Sequence, residues 1–308
     1  MKMAVVGVGH LGRHHARILS SFAGVELVGV ADINAARAAE VASAHHTTAF
    51  DDWRALIDRV DAVTIAAPTD AHLDIAQGFL ERGVHVLVEK PMTATTAEAD
   101  RLLRLARAHG LQLAVGHTER FNPAVAQVKP LVKQPRFIEV HRLGTFPERS
   151  LDIDVVFDLM IHDLDLVLDI VGADVTDIEA VGVPVLTPRV DIANVRLRFD
   201  GGCIANLTAS RISRDKVRKI RFFQQDAYLS IDYAAQEAEV WRLVSKPGAM
   251  PAIEGGKLEI GREEPLRREL EDFVDAIRTG RAPLVTGEQG RAALALAERV
   301  VERMEMTT

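Results

Sequence analysis

The residues of this 308-residue chain that are best suited to chemistry lie in a short apolar stretch, FDLMIHDLDLVLDIVG, residues 157–172. Histidine changes protonation near neutral pH, so His162 can accept or donate a proton during a reaction. On a helix, Asp158 shares a face with His162, where it can orient the imidazole and stabilise its cationic form. An aspartate and a histidine at this spacing can also ligate zinc or iron, but no HExxH motif or cysteine cluster accompanies them, so we predict no metal.

Helical geometry predicts which face of a helix each of the other side chains in this stretch occupies. We predict a helix over residues 153–171, with a polar stripe about 80° wide that lines a cleft. The stripe consists of Asp154, Asp158, His162, Asp165 and Asp169. Asp165 is a candidate for a substrate hydroxyl or for supporting His162. We expect the apolar residues Val156, Leu159, Leu166, Val167 and Ile170 to face a core or a sheet. Asp163 falls opposite the stripe and is predicted to be a solvent or turn contact without a role.

A second reactive side chain, Lys90, follows the apolar run at residues 84–88, in the order Glu89-Lys90-Pro91. Proline restricts the backbone of the residue before it, so the Lys90 side chain would be aimed. An ammonium group here would stabilise an alkoxide as it develops. A charged pair after a strand is otherwise just a solvated loop, and the local sequence leaves both interpretations open.

A glycine-rich turn, GVGHLG at residues 7–12, follows a predicted strand and opens a predicted helix. Gly7 would permit the tight turn, Gly9 a close approach to a pyrophosphate, and Gly12 packing of the helix on the strand. Asp32 follows at the end of the second strand, where a carboxylate accepts hydrogen bonds from ribose hydroxyls and repels a 2′-phosphate. We therefore predict NAD rather than NADP, although Arg37 weakens that preference slightly. A doubly wound domain that binds no dinucleotide is the alternative.

A second loop, Ala66-Ala67-Pro68-Thr69, ends another strand at the same carboxyl edge, where ligands of open α/β folds bind. His72 follows on the next helix and could face that edge, although a histidine near a helix start is often only a capping or surface residue. The predicted cofactor-binding residues are Gly7, Gly9, His10, Leu11, Gly12, Asp32, Ala67, Pro68, Thr69, His72, Glu89 and Lys90.

The elements that must position these residues fall into two groups. Residues 1–118 alternate short β-branched runs with helical patterns, which predicts a doubly wound parallel sheet of the Rossmann type. Residues 119–308 continue with strand-like segments joined by tight turns, which predicts an α+β domain on a mainly antiparallel sheet. Two amphipathic patterns, 265–279 and 287–304, would close this second domain. The predicted fold class is therefore α/β, with two domains that meet near residue 118.

The motifs GVGHLG, AAPTDAH, VEKP, GHTERFNP and Asp158-x-x-x-His162-x-x-Asp165 occur in this order along the chain. In order and spacing they resemble the Gfo/Idh/MocA family of sugar and inositol dehydrogenases. The resemblance implies that Lys90 is catalytic, with an often cis peptide bond to Pro91. It also implies that His162 is the general acid/base and that Asp158 completes a relay. Many members carry a glycine-rich run before the aspartate, whereas this chain has residues 152–157, DIDVVF.

The resemblance implies NAD-dependent oxidation of a ring hydroxyl on a sugar nucleotide, sugar or cyclitol. The stretch at residues 141–172 looks most like relatives that oxidise the 3-hydroxyl of UDP-N-acetylglucosamine, before transamination to a 3-amino sugar of lipid A. Inositol or a simple sugar is the alternative substrate, and a non-catalytic NAD(H) sensor is the alternative function. Arg120 and Arg149 are candidates for binding a substrate phosphate or carboxylate, since guanidinium matches such groups, unless they are surface arginines.

The composition of the chain limits the kinds of partner that we expect it to bind. The net charge of −7 argues against nucleic acid, because phosphate neutralisation needs clustered lysine and arginine. No apolar run approaches the ~18 residues of a membrane span. The single cysteine, Cys203, cannot form an intramolecular disulfide, which fits a reducing cytoplasm. We also expect a homo-oligomer formed through the outer face of the C-terminal sheet.

Overall fold

The computed structural model describes residues 1–146, 153–245 and 250–305. The chain divides into a first unit, Met1–Thr118 with Leu266–Leu294, and a second unit, Glu119–Pro265 with Ala295–Thr308. The division expected from the sequence placed both closing helices in the second domain. The structure differs because the apolar side chains of Leu270, Phe273 and Val274 lie in the core of the first unit.

The first unit contains a six-stranded parallel sheet in the order β3-β2-β1-β4-β5-β6. Its strands are β1 Lys2–Val6, β2 Glu26–Ala31, β3 Thr48–Phe50, β4 Ala62–Ile65, β5 His85–Glu89 and β6 Leu113–Gly116. Its helices up to residue 118 are α1 Gly12–Leu19, α2 Ala35–Ala44, α3 Thr69–Leu80 and α4 Thr96–His109. A 3-10 turn, Trp53–Arg59, precedes β4. The strand order reverses between β1 and β4, so the predicted doubly wound sheet is confirmed.

Local sequence accounts for the helix ends. Thr95 accepts a hydrogen bond from the Glu98 backbone, and the Glu98 side chain accepts one from the backbone of Ala94. These two hydrogen bonds, which resemble a capping box shifted by one residue, start α4. Gly110 ends the same helix at φ +65°, a left-handed conformation that glycine adopts without strain. The sequence therefore sets both ends of α4 without help from the core.

The second unit is built on an eight-stranded sheet in the order β14-β13-β12-β11-β7-β10-β9-β8. Its strands are β7 Phe137–Leu143, β8 Val175–Val183, β9 Ile192–Phe199, β10 Ile204–Ser210, β11 Val217–Gln224, β12 Ala227–Asp232, β13 Glu237–Val244 and β14 Ala252–Lys257. All neighbouring strands pair antiparallel except β7 and β10, which are parallel. The predicted mainly antiparallel sheet is therefore confirmed, although the sequence analysis did not predict β7 and β14.

The helices of the second unit begin with α5 Pro123–Val128. A π-helical turn, Val156–Met160, then runs directly into α6 Ile161–Val171. The last two helices of the chain are α7 Pro265–Thr279 and α8 Gly287–Glu305, and the division between the units falls within α8. Across the three described ranges, no helix combines the length and the hydropathy that a membrane crossing requires.

Candidate active site

The glycine turn has the geometry that its sequence predicts. Gly7 adopts φ +81°, and a Cβ there would lie 2.6 Å from the backbone nitrogen of Ala67. A Cβ on Gly12 would lie 1.8 Å from the Gly7 carbonyl oxygen, so only glycine lets α1 pack this closely on the turn. A Cβ on Gly9, in contrast, would meet nothing within 4 Å. The turn is therefore closed at two glycines and open at the one expected to face a pyrophosphate.

The start of α1 is suited to an anion. Its first turn holds no acidic residue, and Leu11 provides no side-chain cap. The helix dipole and the amides of the first turn therefore favour a negatively charged group that comes from elsewhere. His10 and Leu11 are both exposed at this helix start. A cavity of about 990 Å³ opens beside the turn and is lined in part by Gly7, Gly9 and Asp32.

Asp32 lies at the end of β2 with its carboxylate almost fully buried. One oxygen accepts hydrogen bonds from the Val8 backbone at 2.9 Å and from Arg37 Nε at 3.0 Å. The other accepts from the Asn34 backbone at 2.9 Å and from Arg37 Nη2 at 2.7 Å. Burial would raise the pKa of Asp32, but the hydrogen bonds from Arg37, Asn34 and Val8 outweigh it and lower the pKa. The cavity thus has a charged acceptor where a ribose would lie, so the first unit fits NAD.

His72 links two loops of the first unit. Its imidazole is 1% exposed, with Nδ1 at 2.9 Å from the Pro91 carbonyl oxygen and Nε2 at 2.8 Å from that of Ala67. Burial lowers the pKa of His72, although the two carbonyls oppose the shift. The alternative of a surface or capping histidine is therefore wrong. His72 ties the Ala67-Pro68 loop to the loop that follows Lys90, and a direct cofactor contact stays a prediction.

Lys90 follows β5 directly, and its peptide bond to Pro91 is cis, as the family resemblance implies. The preceding residue, Glu89, turns into the protein with 7% of its side chain exposed. Its carboxylate lies 3.0 Å from Nε2 of His15 and accepts a long 3.3 Å hydrogen bond from the Lys90 backbone. The contacts of Glu89 thus fix the backbone from which the Lys90 side chain starts.

In the second unit, Asp158 and His162 are both partly buried. The prediction of one α-helix with one polar stripe is wrong, because Asp158 lies in the π-helical turn and His162 in α6. A π turn takes in one more residue per hydrogen-bonded ring than an α turn, so side-chain directions before it shift relative to those after it. Asp154 instead accepts a hydrogen bond from the Val190 backbone at 2.9 Å.

The prediction made for Asp163 is wrong. This residue was expected to be a solvent or turn contact, but it is 1% exposed and binds Arg142 through both carboxylate oxygens, at 2.6 and 2.9 Å. Glu119 accepts a further hydrogen bond from Arg142 at 3.1 Å. Burial alone would lower the pKa of Arg142, but the charges of Asp163 and Glu119 raise it, so the guanidinium stays charged.

Arg120 and Asp165, both predicted to contact substrate, bind each other. The guanidinium contacts Asp165 at 2.6 and 3.1 Å and also pairs with Asp169. Only 4% of the Arg120 side chain is exposed, so the surface alternative is wrong. Their substrate contacts stay predictions, and each side chain already has a strong partner. Arg149 lies outside the described residues.

Three of the buried polar residues that were not predicted from the sequence could have been found from periodicity. His15 shares the buried face of α1 with Gly12, Ala16 and Leu19. Arg142 alternates with Ile138 and Val140 on the inner face of β7, and Glu269 stands four residues before Phe273 in α7. A strand repeat of two and a helix repeat of 3.6 place all three inward.

Comparison with known proteins defines the class of protein. Residues 1–117 match the family described as "Oxidoreductase family, NAD-binding Rossmann fold", and residues 134–229 match the "GFO/IDH/MocA C-terminal domain". The chain belongs to the Gfo/Idh/MocA oxidoreductase family, as its motifs suggested. Its cofactor is NAD.

Individual relatives are similar over nearly their whole length. UDP-N-acetylglucosamine 3-dehydrogenase of Acidithiobacillus ferrooxidans is 41% identical over 97% of this chain and 96% of the relative. A solved structure of that enzyme superposes with a TM-score of 0.93, covering 99% of this chain and 98% of the other. The scyllo-inositol 2-dehydrogenase (NAD(+)) of Bacillus subtilis is 27% identical over 93% of this chain and 89% of the relative.

Proposed function

We propose that this chain oxidises the 3-hydroxyl of UDP-N-acetylglucosamine with NAD. The observation that carries the proposal is the likeness, over nearly both full lengths, to the Acidithiobacillus enzyme of that name. Its product would be a 3-keto sugar nucleotide, a suitable substrate for transamination to a 3-amino sugar. The single cysteine, Cys203, is buried and free, which supports our further proposal that the chain works in the reducing cytoplasm.

The chemistry assigns one task to each of three residues. When bound, NAD supplies the acceptor for the hydride that leaves the carbinol carbon. His162 takes the proton of the hydroxyl as the C=O bond forms, and Asp158 orients the imidazole and stabilises its cationic form. Lys90 stabilises negative charge on the same oxygen. We propose that the glycine turn, Asp32, the Ala67-Pro68-Thr69 loop and Glu89 serve the cofactor.

The test is reduction of NAD by UDP-N-acetylglucosamine, followed as absorbance of the reduced nicotinamide. We expect Lys90→Ala and His162→Asn each to lower kcat by ~10²–10⁴-fold, with NADH binding retained. His109→Asn, which changes the histidine at the last position of α4, is the matched control and should keep full activity. Bound NAD without turnover of any sugar nucleotide or cyclitol would favour the alternative of a non-catalytic sensor.

A second candidate substrate is an inositol, because the Bacillus subtilis relative is named for scyllo-inositol and a Thermotoga maritima relative, 25% identical, for myo-inositol. The two candidates are separated by kcat/KM on one enzyme preparation. We expect UDP-N-acetylglucosamine to exceed both inositols by more than tenfold. A higher value for either inositol would overturn the sugar-nucleotide proposal but leave the assigned residues in place.

We also propose that the chain forms a homo-oligomer through the outer face of the second unit's sheet. The pairing registers of four neighbouring strands align Phe137, Phe223, Tyr228 and Trp241 in one row across that face. Trp241 is 40% exposed and Phe223 36%, while Phe137 and Tyr228 are partly buried. A row of partly exposed aromatic side chains is suited to burial against a second copy. Light scattering during gel filtration should show an oligomer that Trp241→Lys weakens; a monomeric native chain would end the proposal.

A further inference from the structure

Three titratable side chains that have no part in the proposed proton transfer lie together in the core of the first unit. They are His15 on α1, Glu89 at the end of β5 and Glu269 on α7, which are 0%, 5% and 2% exposed. His15 Nε2 lies 3.0 Å from Glu89 Oε1. The charge of Glu89 also acts on Glu269. The protonation states of these three side chains determine the net charge next to the backbone of Lys90.

Geometry favours a neutral His15. Its Nδ1 is buried and finds no hydrogen-bond partner among the described residues. A protonated imidazole would carry a second N–H and bury it without an acceptor, whereas the neutral form needs to donate only from Nε2 to Glu89. His15 therefore acts as a neutral donor to Glu89 and leaves the negative charge of the carboxylate uncancelled.

The surroundings of Glu269 favour its protonated form. Burial raises the pKa of its carboxyl group well above the usual range, and the charge of Glu89 raises it further. Two carboxyl groups in a shared buried site do not readily ionise together. With His15 neutral and Glu269 protonated, the group carries a single negative charge, which resides on Glu89.

The order of the strands indicates which half of a bound NAD would lie nearest to the Glu89 carboxylate. The glycine turn after β1 is placed for the pyrophosphate, and Asp32 at the end of β2 is placed for the adenosine ribose. The nicotinamide half of a bound NAD would then lie on the opposite side of β1, towards the carboxyl ends of β4 and β5. Glu89 is the last residue of β5.

We propose that Glu89 favours the binding of oxidised over reduced cofactor in this protein. Its buried carboxylate attracts the cationic nicotinamide ring of NAD⁺ and has no such attraction for the neutral ring of NADH. Solvent screens the charge little because the side chain is 7% exposed. Lys90 is present in the native protein and in every variant of the test, so its own charge does not alter the differences between them. The proposal rests on NAD binding and is independent of the proposed substrate.

Gly116 supports this role from the neighbouring strand. A Cβ there would lie 2.8 Å from both Cδ and Oε2 of Glu89, so the carboxylate lies directly against the backbone at the end of β6. Any side chain at residue 116 would push the carboxylate aside. A glycine at this position therefore makes room for the charge of Glu89, and an alanine provides a way to move that charge without removing it.

The test measures dissociation constants for NAD⁺, NADH and ADP-ribose by calorimetry, without substrate. We expect Glu89→Gln, which keeps the shape but loses the charge, to weaken NAD⁺ relative to NADH by about five- to tenfold. ADP-ribose has no nicotinamide, so its affinity should not change. Glu269→Gln is the matched control, and it should leave all three affinities unchanged because Glu269 is already neutral.

Gly116→Ala provides an independent variant in case Glu89→Gln does not fold. It should shift the NAD⁺ to NADH ratio in the same direction, by less, and leave ADP-ribose unaffected. An unchanged ratio in a folded variant would overturn the proposal. Equal weakening of all three ligands would also overturn it, because that result marks a purely structural role. A ratio shifted as much by Glu269→Gln as by Glu89→Gln would contradict the assigned charges.

Discussion

The glycine turn of the first unit, residues 7–12, and the polar helix of the second, residues 156–171, are both contiguous in sequence, yet they were predictable to different degrees. In the turn, steric limits act within a few residues: Gly7, Gly9 and Gly12 each have the surroundings that their spacing implies. In the polar helix, a π turn changes the register. The buried aspartates Asp163 and Asp165 bind arginines from other elements, Arg142 on β7 and Arg120 in a 3-10 turn. Backbone motifs are therefore local properties, whereas the direction of a charged side chain is a tertiary one.

Arg142 offers the strongest way to test this contrast, because its partners Asp163 and Glu119 lie outside its own strand. We expect Arg142→Met to lower the free energy of unfolding by about 3–5 kcal/mol, since it leaves the Asp163 charge buried without its partner. Chemical denaturation measures this loss. The double variant Arg142→Met/Asp163→Leu should be more stable than the single variant. If it is not, the aspartate is not what makes the loss of Arg142 costly.

Two glycines test the local side of the comparison as a matched pair. Gly12→Ala puts a Cβ 1.8 Å from the Gly7 carbonyl oxygen, so we expect a loss of about 1–3 kcal/mol and of NAD binding together. Gly9→Ala meets open space and should unfold like the native protein, yet weaken NAD where its pyrophosphate approaches. Thermal unfolding and NAD titration measure the two effects. A Gly9→Ala variant that binds NAD normally would contradict the assignment of the pyrophosphate site.

The same contrast explains what the sequence could and could not predict. The capping residues of α4 act within one turn, so its bounds at Thr96 and His109 were predictable. The alternation of Ile138, Val140 and Arg142 could have predicted β7. The partners that let a charged Arg142 point inward could not be predicted, because Asp163 and Glu119 lie on other elements. The assignment of α7 to the first unit could not be predicted, because it depends on the packing of Leu270, Phe273 and Val274 in that unit's core. The candidate catalytic residues could be named from their motifs, but the partners of Glu89 and Asp163 come from other elements.

His72 combines a local and a distant contact, because it joins the nearby loop at Ala67 to the loop at Pro91. Burial lowers the pKa of His72, so the unfolded chain binds its proton more readily than the folded protein does. Stability therefore rises with pH and is lost as the pH falls below about 6.5, the pKa of an unperturbed histidine. We expect His72→Gln to reduce this slope by up to about 1.4 kcal/mol per pH unit. Urea unfolding of both proteins at pH 5.5 and 7.5 tests it, and identical slopes would contradict a depressed pKa.

Arg37 provides the most sensitive test, because it modifies a motif residue without belonging to the motif. Its side chain is 38% exposed, contacts both oxygens of Asp32 and lies at the edge of the NAD cavity. A cation there weakens the repulsion between Asp32 and a 2′-phosphate, and it occupies acceptor positions that ribose hydroxyls would use. We expect Arg37→Leu to raise the preference for NAD over NADP by about two- to fivefold, since exposed ion pairs contribute only ~0.2–1 kcal/mol.

Titration of both cofactors into Arg37→Leu and into Arg82→Leu separates this effect from the loss of any surface arginine. Arg82 is exposed and pairs with Asp58 outside the lining of the NAD cavity, so its variant should keep the native preference. A fall in NAD preference on loss of Arg37 would mean that Arg37 holds Asp32 in position for the ribose. The glycine turn and the strand end would then be insufficient on their own to specify the cofactor, and the local region would depend on tertiary contacts as the polar helix does.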